Sequence, residues 1–407
     1  MFPAAAIVPL FALLGLWLTI ETRPLMRGRL DAMQVGALTL LGWPTVLAVL
    51  RSQFSTLQAT PMMLLGFLPG LIFGAVLGYR LLRERRVLNP GVVMVWLAVA
   101  FIVLHAALTH QSLVWGLMWM VSTLPALFCG WGTLESVRRA GAQSLLAVWL
   151  GMLLVMLVDP ARNVSECRAD KCSIFGKFLT PGGELNNELG MILAPLLPLA
   201  LFGASRGKIL RVSIPVVLMV NLSGSRSSLI MACLGVITSL LFTLPRRPRD
   251  WGFATLIVAV VGATLVPVLR TFPDDGFTWR GILWVRAKEL IASHPWLGHG
   301  PSYWVRQTET NLFGPNYAPH NVWLEMMVTG GLFYTVLVVV GVGLAISRQS
   351  PRNRAAASAL LIAVLSSGMT EAPIMPYRFA FPPGPFITLL LLTSLTPTTA
   401  VKRKESL

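Results

Sequence analysis

The stretch Asn321–Ile346 reads NVWLEMMVTGGLFYTVLVVVGVGLAI and holds a single charged side chain, Glu325. It is longer than the roughly 20 apolar residues that a helix needs to cross a bilayer. His320 precedes it and Arg348 follows it. Similar runs recur along all 407 residues. Hydrophobic residues make up 55% of the chain and charged residues only 12%, with a mean hydropathy of +0.70. A soluble domain carries about twice that charge density. A water-soluble enzyme is therefore excluded, as is a disordered chain. In hydrocarbon every backbone N–H and C=O must be paired internally, so spans are helices or closed barrels. Continuous apolar runs favour helices, because barrel strands alternate over about 10 residues. The sequence predicts an all-α polytopic membrane protein.

Working outward, thirteen apolar spans are read at 3–20, 32–50, 61–79, 90–108, 112–131, 142–158, 189–204, 209–222, 227–244, 252–268, 321–346, 355–370 and 381–397. Pro195, Pro198 and Pro215 could break or kink the two short spans that contain them. The connecting segments alternate in charge. One set (21–31, 80–89, 132–141, 205–211, 245–250, 347–354 and the tail from 398) holds most of the Lys and Arg and nearly all of the net +16. The positive-inside rule makes this set cytoplasmic. The N-terminus is then expected outside and the C-terminus inside. Arg23, Arg27 and Arg29 follow the first span rather than precede it, so that span reads as a retained helix and not a cleaved signal. Charge dealt out loop by loop is a topology signal; a nucleic-acid site would gather it in one patch.

The expected organisation is N-terminal spans over 1–158, a periplasmic loop over 159–188, central spans over 189–268, a larger periplasmic loop over 269–320, and C-terminal spans with a short tail over 321–407. The first loop contains Cys167 and Cys172, which an oxidising compartment would pair; two unpaired thiols are the alternative. Cys129 and Cys233 lie within spans and read as small packing residues. In the second loop, Trp279–Ser293 reads as an amphipathic helix resting on the bilayer surface. Trp279, Trp284 and Trp296 suit that interface. His294-Pro295 ends the helix.

The outer face then collects a particular set of side chains. Arg226 sits in the short loop 223–226 between two apolar spans. Arg at a membrane edge is costly unless paired or functional, the plainer alternative being a side chain that snorkels to water. Arg280 opens the amphipathic helix, His320 stands where the next span starts, and Glu371 and Arg378 lie in the last outer loop, where they could simply pair with each other. Asn187 and Glu188 begin the span after the first long loop. Arg binds phosphate through two parallel hydrogen bonds and keeps its charge. Two such residues could hold a diphosphate and stabilise its charge as it leaves. A neutral imidazole could orient or deprotonate an attacking hydroxyl. That combination fits glycosyl transfer from a lipid-diphosphate donor. The segment Gly203–Ile209 has the wrong spacing for an ATP loop, and no His-Glu-x-x-His zinc motif occurs, so no cofactor and no metal are expected.

Three segments carry a resemblance to a known family. They are Ser223-Gly-Ser-Arg-Ser-Ser-Leu229, then Arg280-Gly-Ile-Leu-Trp284 with His294-Pro-Trp-Leu-Gly-His-Gly300, and Pro319-His-Asn-Val-Trp-Leu-Glu325 with Gly330-Gly331 downstream. A fainter one is Asn187-Glu-Leu-Gly190. In order, spacing and common outer placement they resemble the bacterial O-antigen ligase and O-antigen polymerase superfamily. The resemblance covers roughly the C-terminal half. It implies a GT-C-like membrane glycosyltransferase performing metal-independent, inverting transfer from an undecaprenyl-diphosphate-linked glycan. Arg226 and Arg280 would bind the diphosphate and His320 would activate or position the acceptor hydroxyl. Asn187, Glu188, Asn321, Glu371 and Arg378 would contact substrate. The implied acceptor is lipid A-core (a ligase), a glycan repeat (a polymerase) or a protein side chain. A transporter of an anionic lipid or solute is the reading from another class, but it would call for repeats and midplane polar residues. The usual pattern of the superfamily is twelve spans with both ends inside, against the thirteen read here.

Overall fold

The computed structural model describes residues 4–26, 30–43, 59–158, 163–168, 171–180, 186–301, 303–306 and 318–374, with 389–390, 392–393 and 395 near the C-terminus. It is an all-α bundle. The N-terminal helices are α1 (Ala4–Thr22), α2 (Ala32–Ala37), α3 (Ala59–Arg83), α4 (Pro90–Leu108), α5 (Val114–Thr123) and α6 (Leu134–Val158). Strands β1 (Val164–Glu166) and β2 (Lys177–Leu179) form an antiparallel hairpin. Then come α7 (Asn186–Leu201), α8 (Arg206–Leu222), α9 (Arg226–Leu241), α10 (Arg246–Leu269), α11 (Gly276–Ser293), α12 (Tyr303–Arg306), α13 (Val322–Ser347) and α14 (Pro351–Ser366). The span read at 381–397 falls almost wholly outside the described residues.

Among the described residues, five helical segments are long and apolar enough to cross a membrane: Ala6–Met26, Pro90–Leu108, Leu134–Val158, Arg246–Leu269 and Val322–Ser347. The protein is a multi-pass membrane protein. Other spans are shorter. Helices α7, α9 and α14 have 16 residues each. At about 1.5 Å per residue each is some 24 Å long, short of a hydrocarbon core of about 30 Å. For α7 and α14 their position accounts for this. Every residue from Leu189 to Leu201 is buried, as is Ala355–Leu360 of α14. A helix surrounded by other helices meets little lipid and need not match the bilayer's thickness. The longer helices present the lipid-facing side chains, such as Trp251 and Val258 of α10 and Val336 and Val339 of α13. The prolines do not end α7 or α8: Pro195, Pro198 and Pro215 all lie inside them.

Helices alternate direction, so their connections segregate to two ends. Arg206, Arg246 and Arg352 lie at one end, here the basic face; Ser223–Arg226, His320 and Glu371 lie at the other, the site face. On the site face Cys167 and Cys172 are disulfide-bonded across the β1–β2 hairpin. Two expectations change. Cys233 is exposed on the outer surface of α9 instead of packing inside. Trp284 does not rest at the membrane interface. It is 1% exposed and its indole N–H donates to the Pro319 carbonyl at 2.9 Å. It anchors a second small core with Ala287, Leu290, Trp304, Leu324 and Val328. The helix read over Trp279–Ser293 is therefore docked on α13, with Trp279 and Trp296 left exposed.

Candidate functional site

The decisive local feature is a break in α13. Gly331 has φ 65° and ψ −165°, a conformation essentially reserved for glycine. A helix broken there loses the bonds that Leu332 and Phe333 would donate to the carbonyls of Val328 and Thr329. The loop after α11 supplies replacements for all four groups. His299 N–H donates to Val328 O at 2.7 Å and Gly300 N–H to Thr329 O at 2.9 Å. Leu332 N–H donates to Pro295 O at 2.8 Å and Phe333 N–H to Trp296 O at 3.3 Å. The segment His294–Gly300 is thus spliced into the broken helix, which answers the demand that buried backbone groups be paired. A Cβ on Gly331 would lie 2.3 Å from the Trp296 carbonyl oxygen, and one on Gly298 would lie 2.7 Å from Gly330 N. Gln111, at the outer end of α4, donates to the His299 carbonyl at 3.1 Å.

This clasp fixes α11 against the first half of α13, and with it the distance between Arg280 and His320. The N-terminal end of α11 is set by three residues with positive φ, Phe277, Thr278 and Trp279. Phe272, Phe277 and Trp284 pack ring against ring there, at centroid separations of 5.1–5.3 Å. Arg280 is the next residue. At the start of α13, Asn321 is fully buried. Its Oδ1 caps the helix by accepting from Trp323 N and Leu324 N, both at 3.1 Å. Its Nδ2 donates to Thr264 O at 2.9 Å and Gly368 O at 3.2 Å. These bonds tie α10, α13 and the end of α14 together directly beneath His320, which itself has φ 51°.

Glu371 follows the last turn of α14. Its carboxylate joins the two site residues. Arg280 Nη2 donates to Oε1 at 3.1 Å, and His320 Nδ1 lies 3.1 Å from Oε2. Glu371 is 6% exposed, so this bridge is largely shielded from water. An ionised carboxylate only accepts, so His320 Nδ1 is the donor in this contact. Among the described residues Arg280 commits only Nη2 of its five N–H donors.

Arg226 is the first residue of α9. It is exposed and makes no hydrogen bond or ion pair among the described residues. Its turn is braced from three sides. Ser225 Oγ caps α9 through Ser228 N at 3.4 Å. Asn221 Oδ1 accepts from Ile174 N of the disulfide hairpin at 3.0 Å, and Phe178 packs on Gly224. Gly190 of α7 lies so close that an added Cβ would be 2.6 Å from Ser223 Oγ. This puts the first turn of α7, with Asn187 and Glu188, beside the Arg226 turn. Helix α9 also packs along α14 in the opposite direction, so Arg226 and the turn leading to Glu371 share the site face.

The structure thus brings Arg280, His320 and Glu371 into direct contact and sets Arg226 and the start of α7 on the same face. The alternative pairing of Glu371 with Arg378 lies outside the described residues. The roles of Asn321, Thr264 and Gln111 as struts were not read from the sequence, because each acts through a partner 47 or more residues away.

Taken together, the chain is a multi-spanning helical membrane protein with an Arg–carboxylate–His cluster at one face. Residues 212–339, which include Arg226, Arg280 and His320, match the family described as O-Antigen ligase. The match supports the resemblance drawn from the three segments and covers the part of the chain that carries them. A curated O-antigen ligase of Pseudomonas aeruginosa is 31% identical over 157 residues. That alignment covers 37% of this chain, and the chain spans 37% of that relative's length.

Proposed function

We propose that this protein transfers a glycan from an undecaprenyl-diphosphate-linked donor to an acceptor hydroxyl, as an O-antigen ligase working on lipid A-core at the periplasmic face of the inner membrane. The observation that carries the reading is the Arg280–Glu371–His320 bridge at the end of the bundle where Arg226 makes no ion pair among the described residues.

In this reading Glu371 holds the His320 ring with its proton on Nδ1. Nε2 takes the proton of the acceptor hydroxyl as its oxygen attacks the anomeric carbon. The bond from that carbon to the phosphate oxygen breaks, and undecaprenyl diphosphate leaves. Arg226 and the uncommitted donors of Arg280 stabilise the charge that collects on the departing diphosphate. Attack opposite the leaving group inverts the anomeric centre. Asn187, Glu188 and Arg378 are assigned to the sugar or diphosphate. Asn321, whose amide is fully used in the fold, is a positioning residue for His320.

Deletion of the gene followed by gel analysis of surface glycan tests the assignment. Loss of all polysaccharide from lipid A-core, with long chains still lipid-linked, is expected. Collapse to single repeat units on the acceptor would make the protein a polymerase instead. Arg226→Ala, Arg280→Ala and His320→Ala should each abolish transfer, a loss of about 10²-fold or more per residue, while the protein still inserts. Normal transfer by any two of them would sink the site.

A further inference from the structure

The basic face carries a feature that the glycosyl-transfer reading does not use. A cavity of about 470 Å³ opens at the start of α10, lined by Arg246, Arg247, Asp250, Trp251 and Ala254. Its charges are unequally satisfied. Asp250 accepts from Arg249 at 3.1 Å and lies 3.6 Å from Arg246. Arg249 is turned inward, its guanidinium 5.9 Å from the Phe242 ring centre. Arg206 of α8 comes in alongside, bonded to Thr243 Oγ1 at 3.2 Å. Arg247 forms no ion pair among the described residues. Two arginines and one carboxylate line the cavity, and that carboxylate is also engaged by Arg249, so the cavity has positive charge to spare.

Immediately along α10 from these cations the surface becomes apolar. Trp251 is 72% exposed, and Ala254, Val258 and Gly262 continue the same exposed side of the helix. Nothing lies within 4 Å of a Cβ built on Gly262, so this side is open to lipid. A cationic cavity with an indole at its rim and an apolar strip running into the bilayer matches an amphiphile with an anionic head. A soluble phosphate would use the cations but not the strip.

We propose that this cavity is a binding site for an anionic phospholipid. Arg246 and Arg247 hold the phosphodiester, Trp251 packs at the glycerol level, and an acyl chain lies along Ala254, Val258 and Gly262.

The test uses the full-length protein in nanodiscs of phosphatidylcholine. It is titrated with phosphatidylglycerol or phosphatidylcholine carrying bromines at carbons 6 and 7, which quench nearby indoles. Brominated phosphatidylglycerol is expected to quench more at equal mole fraction, and Trp251→Phe should remove that excess. Each arginine lost should weaken the apparent preference about fivefold, so Arg246→Gln/Arg247→Gln should bring the two lipids close to parity. Because those arginines also help set topology, Arg246→Lys/Arg247→Lys is the companion variant; it keeps the charge and should keep most of the preference. Equal quenching by the two lipids in the wild type would overturn the proposal. So would an excess that survives Trp251→Phe or the double Gln variant.

Discussion

Glu371 bridges the two residues whose chemistry the site needs, and its effects should be kinetic more than structural. Glu371→Gln keeps the shape but offers one oxygen and one NH₂ where there were two acceptors. It can no longer hold both Arg280 and the Nδ1–H form of His320. We expect transfer to fall by about 10²-fold, mainly in kcat. An unchanged rate in single-turnover assays would remove the carboxylate from the mechanism. Asn321→Ala should behave differently. It removes a helix cap and the buried amide that donates to the carbonyls of Thr264 and Gly368, costing about 2 kcal/mol. Thermal unfolding in detergent should show that loss. At this scale the sequence was legible for Arg226, Arg280 and His320, because each is a charged or titratable group at the edge of an apolar run. The partnership of Glu371 with Arg280 was not legible, because the two lie 91 residues apart in the chain.

The clasp between the 294–300 loop and the broken α13 is the element that makes the site rigid. Gly331→Ala would have to place a side chain in a backbone region closed to it, 2.3 Å from a carbonyl oxygen. The strain alone amounts to about 1–3 kcal/mol, and the two Trp296 and Pro295 acceptors would be displaced as well. We expect a lower midpoint of thermal unfolding and loss of transfer together. The clasp should also respond to acid. Burial, with His294 and Arg286 nearby, holds the His299 imidazole below its ordinary value. The opened loop therefore takes up a proton more readily than the closed one, and closure is strongest above the ordinary imidazole value of about 6.5. As pH falls through that value toward the depressed one, the clasp weakens. Amide exchange at His299 and Gly300, corrected for intrinsic rate, should accelerate between pH 7.5 and pH 5.5; no change would separate His299 from the closure. In the sequence the glycines at 298, 300, 330 and 331 read as loop punctuation and a downstream motif. That two distant pairs of them meet was not written in either segment alone.

For the whole molecule, short buried helices are ringed by longer ones, and the two ends carry opposite roles. In the proposed orientation the basic face is cytoplasmic. Arg139→Cys should accordingly be labelled by an impermeant maleimide only after the membrane is opened, and Lys288→Cys in intact spheroplasts; the reverse pattern would invert the topology. In the proposed mechanism arginines supply both phosphate-binding charges, so transfer should survive EDTA and need no added nucleotide. Loss of activity that a divalent cation restores would show that the leaving diphosphate is neutralised by a metal.

Hydropathy and loop charge alone determined that the chain is helical, membrane-embedded and two-faced. Both are local properties: an apolar run must close its own backbone bonds in lipid, and a basic loop resists crossing, whatever the rest of the molecule does. Only the tertiary structure decided that α13 breaks and is repaired by a loop, that Trp284 is buried and not interfacial, and that Glu371 joins Arg280 to His320. Those outcomes depend on pairing groups from segments far apart in the chain, and no single segment contains the partner that satisfies it.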